Sequence, residues 1–302
     1  MRPLILYIPG LLPKPEPAVH SEALARCLLT GVRRIDPAVA NAIEAADAFD
    51  IVSWTFDFYG THRDFELDRA AIEAVVEQVE ADEKDIAEAT SWSRHLTRWL
   101  YRLGDLVPFL IPHVANEKAA VHLRDLQRYL GDDNGIATHA RRMLKMRLRA
   151  ADEAGQPVLL IAHSMGFVIA YDSLWEMSHS SRDHLRLDML LTMGSPLGQN
   201  YMQKRLKGAG QPGYAQFPTN IGRWKNLAAI GDLTALDRRL SDDFDGMLEL
   251  GLLETFEDER LLNWFRLEGQ LNVHAEYGYL VNEKTARTIV EWWRGHDDSL
   301  DS

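Results

Sequence analysis

The chain has 302 residues, 46% of them hydrophobic and 26% charged, with a formal net charge of -12. That length and apolar share sustain a sizeable buried core, which excludes a largely disordered chain and leaves one large domain with an insertion, or two small ones. The acidic balance argues against nucleic acid or strongly anionic membrane as a general partner, and Cys27, the only cysteine, excludes an intramolecular disulfide and a cysteine-based zinc site.

Leu4-Ile5-Leu6-Tyr7-Ile8 is an unbroken apolar run stopped by Pro9-Gly10, the pattern of a central parallel strand covered on both faces. The N-terminal apolar run is too short for a secretion signal, and no segment carries the roughly 18 uninterrupted apolar residues that span a bilayer. A soluble, cytoplasmic protein is therefore expected. Pro13, Pro15 and Pro17 hold a loop before a helix near His20 to Leu29. Further strands are expected over residues 51–58, 158–162, 187–193, 227–230 and 261–267. Helical patterns alternate with most of them, which implies an α/β fold: a mostly parallel central sheet with helices on both faces.

Residues 61–155 break this rhythm, being nearly all helical in pattern with no strand, and read as a helical insertion. Within them Trp92, Leu96, Trp99, Leu100 and Leu103 share one helical face, while Arg94, Arg98 and Arg102 share another. An apolar segment from Val107 through Pro112 follows. The stretch from Trp92 through Pro112 has three readings: a helix packed on the core, a lid over a site, or a peripheral membrane contact.

Directly after the buried-strand pattern Val158-Leu159-Leu160-Ile161 comes Ala162-His163-Ser164-Met165-Gly166. A serine thrown onto a sharp strand-to-helix turn sits in a strained backbone conformation, so the residues two before and two after it must be small. Ala162 and Gly166 are small. The plainer alternative is a serine capping an ordinary helix over residues 165–177. No cluster of His and carboxylates has metal-ligand spacing, so neither metal nor cofactor is expected.

On these residues, and on three further stretches in matching order, the chain resembles the α/β-hydrolase fold family, in particular its lipase and esterase branch. The resemblance covers residues 1–60 and 156–295. It implies a single domain over residues 1–302, with 61–155 as an inserted or lid-like region, and a catalytic triad in the chain order Ser, acid, His. Ser164 matches the nucleophile. Asp232, ending the stretch Trp224-Lys225-Asn226-Leu227-Ala228-Ala229-Ile230-Gly231, matches the acid, with Asp237, Asp242 and Asp245 as alternatives. His274, in the polar loop before a final helix over residues 283–293, matches the base.

The resemblance also implies two backbone N–H donors for an oxyanion. One is Met165, after the nucleophile; the other is Leu11, in the turn Pro9-Gly10-Leu11-Leu12, where proline replaces the family's histidine. Gly194-Ser195-Pro196-Leu197-Gly198 recurs in such hydrolases, with Ser195 as a turn residue. His163 is expected to pack in the core or make a structural hydrogen bond, and Asp57 either lines the pocket or holds a turn.

The residue types suit acyl transfer. A serine hydroxyl needs a base to take its proton as it attacks, and imidazole has a suitable pKa. A carboxylate fixes the histidine tautomer, and N–H donors stabilise the oxyanion. The expected function is hydrolysis of a carboxylic ester, on a small-molecule or lipid substrate. A thioesterase or acyltransferase would use the same three residues, and a catalytically silent fold would be a binding module.

Overall fold

The computed structural model describes residues 2–91, 117–181, 183–196, 200–232 and 239–297. The stretch 92–112, with its three readings, lies outside them, as do Asp237, Leu197 and Gly198.

Strand β1 (Leu4–Ile8) leads into helices α1 (Pro17–Ile35) and α2 (Pro37–Ala45), then strand β2 (Phe49–Ile51). Helices α3 (Thr55–Tyr59), α4 (Glu66–Glu77), α5 (Glu83–Ala89), α6 (Glu117–Leu130) and α7 (Ile136–Glu153) follow. Strand β3 (Val158–His163), helix α8 (Met165–Ser178), and strands β4 (Leu187–Met193), β5 (Ile221–Ala229) and β6 (Thr255–Leu261) build the rest of the sheet. A short antiparallel pair, β7 (Arg266–Leu267) and β8 (Gln270–Leu271), precedes helices α9 (Glu276–Leu280) and α10 (Glu283–Arg294).

The six strands lie in the order β2-β1-β3-β4-β5-β6, every neighbouring pair parallel. This is the α/β fold expected from the alternation of strand and helix patterns. The period of two along each strand sorts its side chains between two apolar layers. Ile5, Tyr7, Leu159, Ile161, Leu191 and Leu227 enter one layer, with Leu24 and Leu28 of α1 and Trp292 and Trp293 of α10. Leu6, Ile8, Leu160, Ala162, Leu190 and Trp224 enter the other, with Leu144 and Leu148 of α7 and Phe167 and Leu174 of α8. The described helices of residues 61–155 are shared between the layers, Ile72 of α4 entering the first and Leu144 of α7 the second. No helix among the described residues is long and apolar enough to cross a membrane.

Three expected elements differ. Residues 51–58 do not form a strand: β2 ends at Ile51, and Thr55–Tyr59 is helical, closed by Gly60 at φ 70°. Trp54 and Phe58, four apart, bury the same face and meet edge to face at 5.4 Å, so an aromatic run that also suits a strand takes the helical period. Strand β5 begins at Ile221, well before residue 227, because Arg223 and Lys225 find partners in Asp188 and Glu259 and no longer interrupt it. The last strand is the charged Thr255–Leu261, not residues 261–267, as befits an edge that must repel further pairing. Trp264 and Phe265 leave the sheet and plug the first apolar layer.

The strand order reverses between β1 and β3, whose carboxyl ends lie side by side. In open α/β sheets such a switch point is where a crevice opens. Gly166 makes the approach possible: a Cβ there would stand 2.4 Å from the Ile8 carbonyl oxygen and 2.8 Å from that of Pro9. Gly166→Ala should therefore force β1 and α8 apart and lower unfolding free energy by about 1–3 kcal/mol, read from urea denaturation. An unchanged midpoint would disprove this close-packing account.

Candidate active site

Ser164 stands between β3 and α8 at φ 53°, ψ -123°, a conformation that a side chain rarely adopts. Its N–H donates to the Met193 carbonyl at 2.9 Å, and its own carbonyl accepts from Phe167 N–H at 3.0 Å, so the turn is fixed from both sides. This is the strained strand-to-helix turn expected from Ala162-His163-Ser164-Met165-Gly166, and the reading as a plain helix cap falls: the serine side chain makes no capping bond to α8.

The structure brings Ser164, His274 and Asp232 together. His274 Nε2 lies 3.0 Å from Ser164 Oγ, and its Nδ1 lies 2.9 Å from Asp232 Oδ2. A carboxylate can only accept, so Nδ1 carries the proton and Nε2 offers its lone pair to the serine hydroxyl. The Asp232 side chain is 1% exposed and that of His274 28%, so the acid is sealed while the base faces the crevice. Asp242 and Asp245 lie on the exposed surface away from this chain of contacts.

Two residues to which the sequence reading gave no place beside Asp232 and His274 border that pair. Tyr279 accepts from Ala229 N–H at 2.8 Å and donates its hydroxyl to Asp232 Oδ2 at 3.0 Å. Burial, reinforced by the Asp232 charge, raises the Tyr279 pKa far above its usual value, so it remains a donor. Gly194, at φ 57°, leaves room for the pair: a Cβ there would lie 3.0 Å from the His274 ring and 3.2 Å from Asp232 Oδ2. Ser195 beside it is buried at the end of β4, in the turn expected of it.

The loop after β1 closes the other side. A Cβ on Gly10 would stand 2.7 Å from Ser164 Cβ and 3.2 Å from Oγ, so only glycine lets the main chain come so near. Trp54 Nε1–H donates to the Pro9 carbonyl at 2.9 Å, and Leu12, at φ 78°, donates its N–H to the Tyr59 hydroxyl at 2.9 Å. Tyr59 in turn donates to Asp125 of α6 at 2.9 Å. Leu12 N–H is thus committed to Tyr59, while Gly10 brings the main chain just before Leu11 against Ser164. Asp57 does not end a strand: it sits within α3 and pairs with His139 at 2.9 Å.

His163 is 4% exposed and donates Nε2–H to the His274 carbonyl oxygen at 2.9 Å, the structural hydrogen bond expected of it. Its Nδ1 has no hydrogen-bond partner among the described residues. Burial, followed by the neighbouring His274, pushes its pKa down from 6.5 to about 3. Cys27 takes no part in this chemistry, since burial pushes its thiol up to about 12. Among the described residues no group of His, Cys, Asp and Glu is placed to hold a metal ion. Comparison with protein-family models, curated proteins and solved structures returned no match to the chain.

The His163 shift sets a pH dependence. The unfolded chain takes up a proton here near pH 6.5 and the folded chain only near 3, so this stabilisation is complete above 6.5 and drains away as pH falls towards 3. The slope reaches at most about 1.4 kcal/mol per pH unit. Between pH 7 and 5 the wild type should lose urea resistance more steeply than His163→Gln, which has no such proton to bind. Parallel curves would mean that folding leaves the pKa of this imidazole unshifted.

Proposed function

We propose that the chain is a serine hydrolase of the α/β-hydrolase kind, cleaving carboxylic esters through an acyl-enzyme. The observation that carries this is the continuous relay from Ser164 Oγ to His274 Nε2 at 3.0 Å and from His274 Nδ1 to buried Asp232 at 2.9 Å. Residues of these types in these roles perform one kind of chemistry well.

His274 takes the Ser164 proton as Oγ attacks the ester carbonyl, and the tetrahedral intermediate forms with its negative charge on the former carbonyl oxygen. The Met165 and Leu11 amides hold that oxygen. Asp232 keeps the imidazole in the tautomer that can accept the proton, and its charge meets the imidazolium. His274 then gives its proton to the departing alcohol. Water, deprotonated by the same imidazole, attacks the acyl carbonyl, and the collapse of that intermediate breaks its bond to Oγ, releases the carboxylic acid and returns the proton from His274 to Ser164 Oγ.

A fluorophosphonate should label Ser164 once per chain, located by mass spectrometry, and labelling should vanish in Ser164→Ala and in His274→Ala. On short p-nitrophenyl esters Ser164→Ala and His274→Ala should each lose on the order of four or more decades of kcat/KM. Full activity in Ser164→Ala would refute the proposal. Asp232→Asn, which permits the wrong imidazole tautomer, should lose about four decades with KM little changed. A series of acyl chain lengths then defines the pocket, and a marked preference for acetate would exclude the lipid ester expected from residues 92–112.

A further inference from the structure

Behind the base, two side chains outside the triad connect its loop to the rest of the site. His163 directly precedes Ser164, yet its Nε2–H bonds to the main chain of His274 at 2.9 Å, with the two rings 4.8 Å apart. The nucleophile's neighbour thus grips the backbone of the base. On its other edge, His163 Nδ1 lies 3.8 Å from Oε2 of Glu276, two residues beyond His274. Glu276 is itself 4% exposed. It accepts from Tyr7 OH at 2.9 Å, Lys14 Nζ at 2.8 Å and His20 Nε2 at 3.0 Å. Tyr7 belongs to β1, His20 to α1, and Lys14 to the loop that carries Leu11.

Resting on the hydrolase reading, we propose that His163 and Glu276 are positioning residues: one holds the His274 main chain over Ser164, and the other locks the base loop to the loop of Leu11. Three donors from three chain segments converge on one carboxylate, so a single placement of the start of α9 satisfies them all. Packing alone would not call for these residue types. An apolar side chain would fill the His163 site without leaving Nδ1 unpaired, and a carboxylate is costly to bury without matched charges. Burial would raise the Glu276 pKa, but Lys14 and His20 outweigh it and hold the carboxyl well below its usual range, so the lock stays charged.

Displacing reacting groups by about 1 Å costs on the order of 100-fold in rate. Three variants test the positioning with a fluorophosphonate, its stoichiometry giving the fraction of competent sites and its rate constant the reactivity of each. His163→Leu, close in volume but with no donor, should lower the per-site labelling rate and kcat by about 10–100-fold with KM within about two-fold. His163→Gln, whose amide nitrogen reaches the place of Nε2, should recover most of that loss. Glu276→Gln, which leaves Lys14 without its counter-charge and removes the carboxylate that Tyr7 and His20 also contact, should fall as His163→Leu does.

A wild-type per-site rate in His163→Leu or Glu276→Gln, whatever the stoichiometry, would overturn the proposal, as would a His163→Gln no faster than His163→Leu. Where His163→Leu yields no competent sites, Glu276→Gln decides in the same assay. Absence of labelling in the wild type would instead refute the hydrolase reading beneath it, so the two failures are told apart.

Discussion

Gly166 lies against the carbonyls of Ile8 and Pro9, and this contact fixes where Ser164 can stand. The serine backbone is held in a conformation costing on the order of 1–3 kcal/mol, which survives only where the surroundings leave no alternative. Here β1 and β3 supply the constraint. Ile5 through Ile8 and Leu159 through Ala162 are wholly inaccessible to solvent, paired in register and covered on both faces. A turn anchored in so rigid a layer cannot relax without opening the core.

Parallel topology does the rest of the assembly. Ser164 follows β3, Gly194 follows β4, Asp232 follows β5, and His274 comes from the segment after β6. All these strands run the same way, so their carboxyl ends share one edge of the sheet, and residues 42 and 110 positions from His274 in sequence meet it there. Glycines stand wherever backbone must come close: Gly10 against Ser164, Gly194 against the His274–Asp232 pair, and Gly231, at φ 85°, against the Ala89 carbonyl. The crevice is built as much from missing side chains as from present ones.

The parts readable from sequence were those governed by local pattern. The run 4–8 has no interruption, and 187–193 carries only Asp188 and Thr192 among apolar residues; both form strands with those bounds. The small residues around Ser164 announce a turn that only small residues permit. Charge concealed β5 and β6, because Arg223, Lys225 and the acidic residues of 255–261 are satisfied by partners distant in sequence. Tyr279 and Glu276 were invisible for the same reason. Each lies in an ordinary helical stretch, and its significance comes from Asp232 in one case and from Tyr7, Lys14 and His20 in the other. A Gly-Ser-Pro turn was legible after β4, but not that its glycine leaves room for an imidazole.

Two buried carboxylates near the same histidine are kept in different electrostatic states. Glu276 already faces Lys14 and His20, so its charge is matched in the resting protein. Asp232 faces the hydroxyl of Tyr279 and the imidazole of His274, the group that takes the Ser164 proton in the proposed mechanism. In the low-dielectric setting of a side chain 1% exposed, the attraction between Asp232 and that imidazolium is far stronger than it would be in water. On that mechanism the attraction arises as the proton moves, so it would favour the transition state over the resting state, which is what acceleration requires. Three donors fasten Glu276 at the start of α9, while Asp232, in the proposed mechanism, meets the charge that proton transfer to His274 creates.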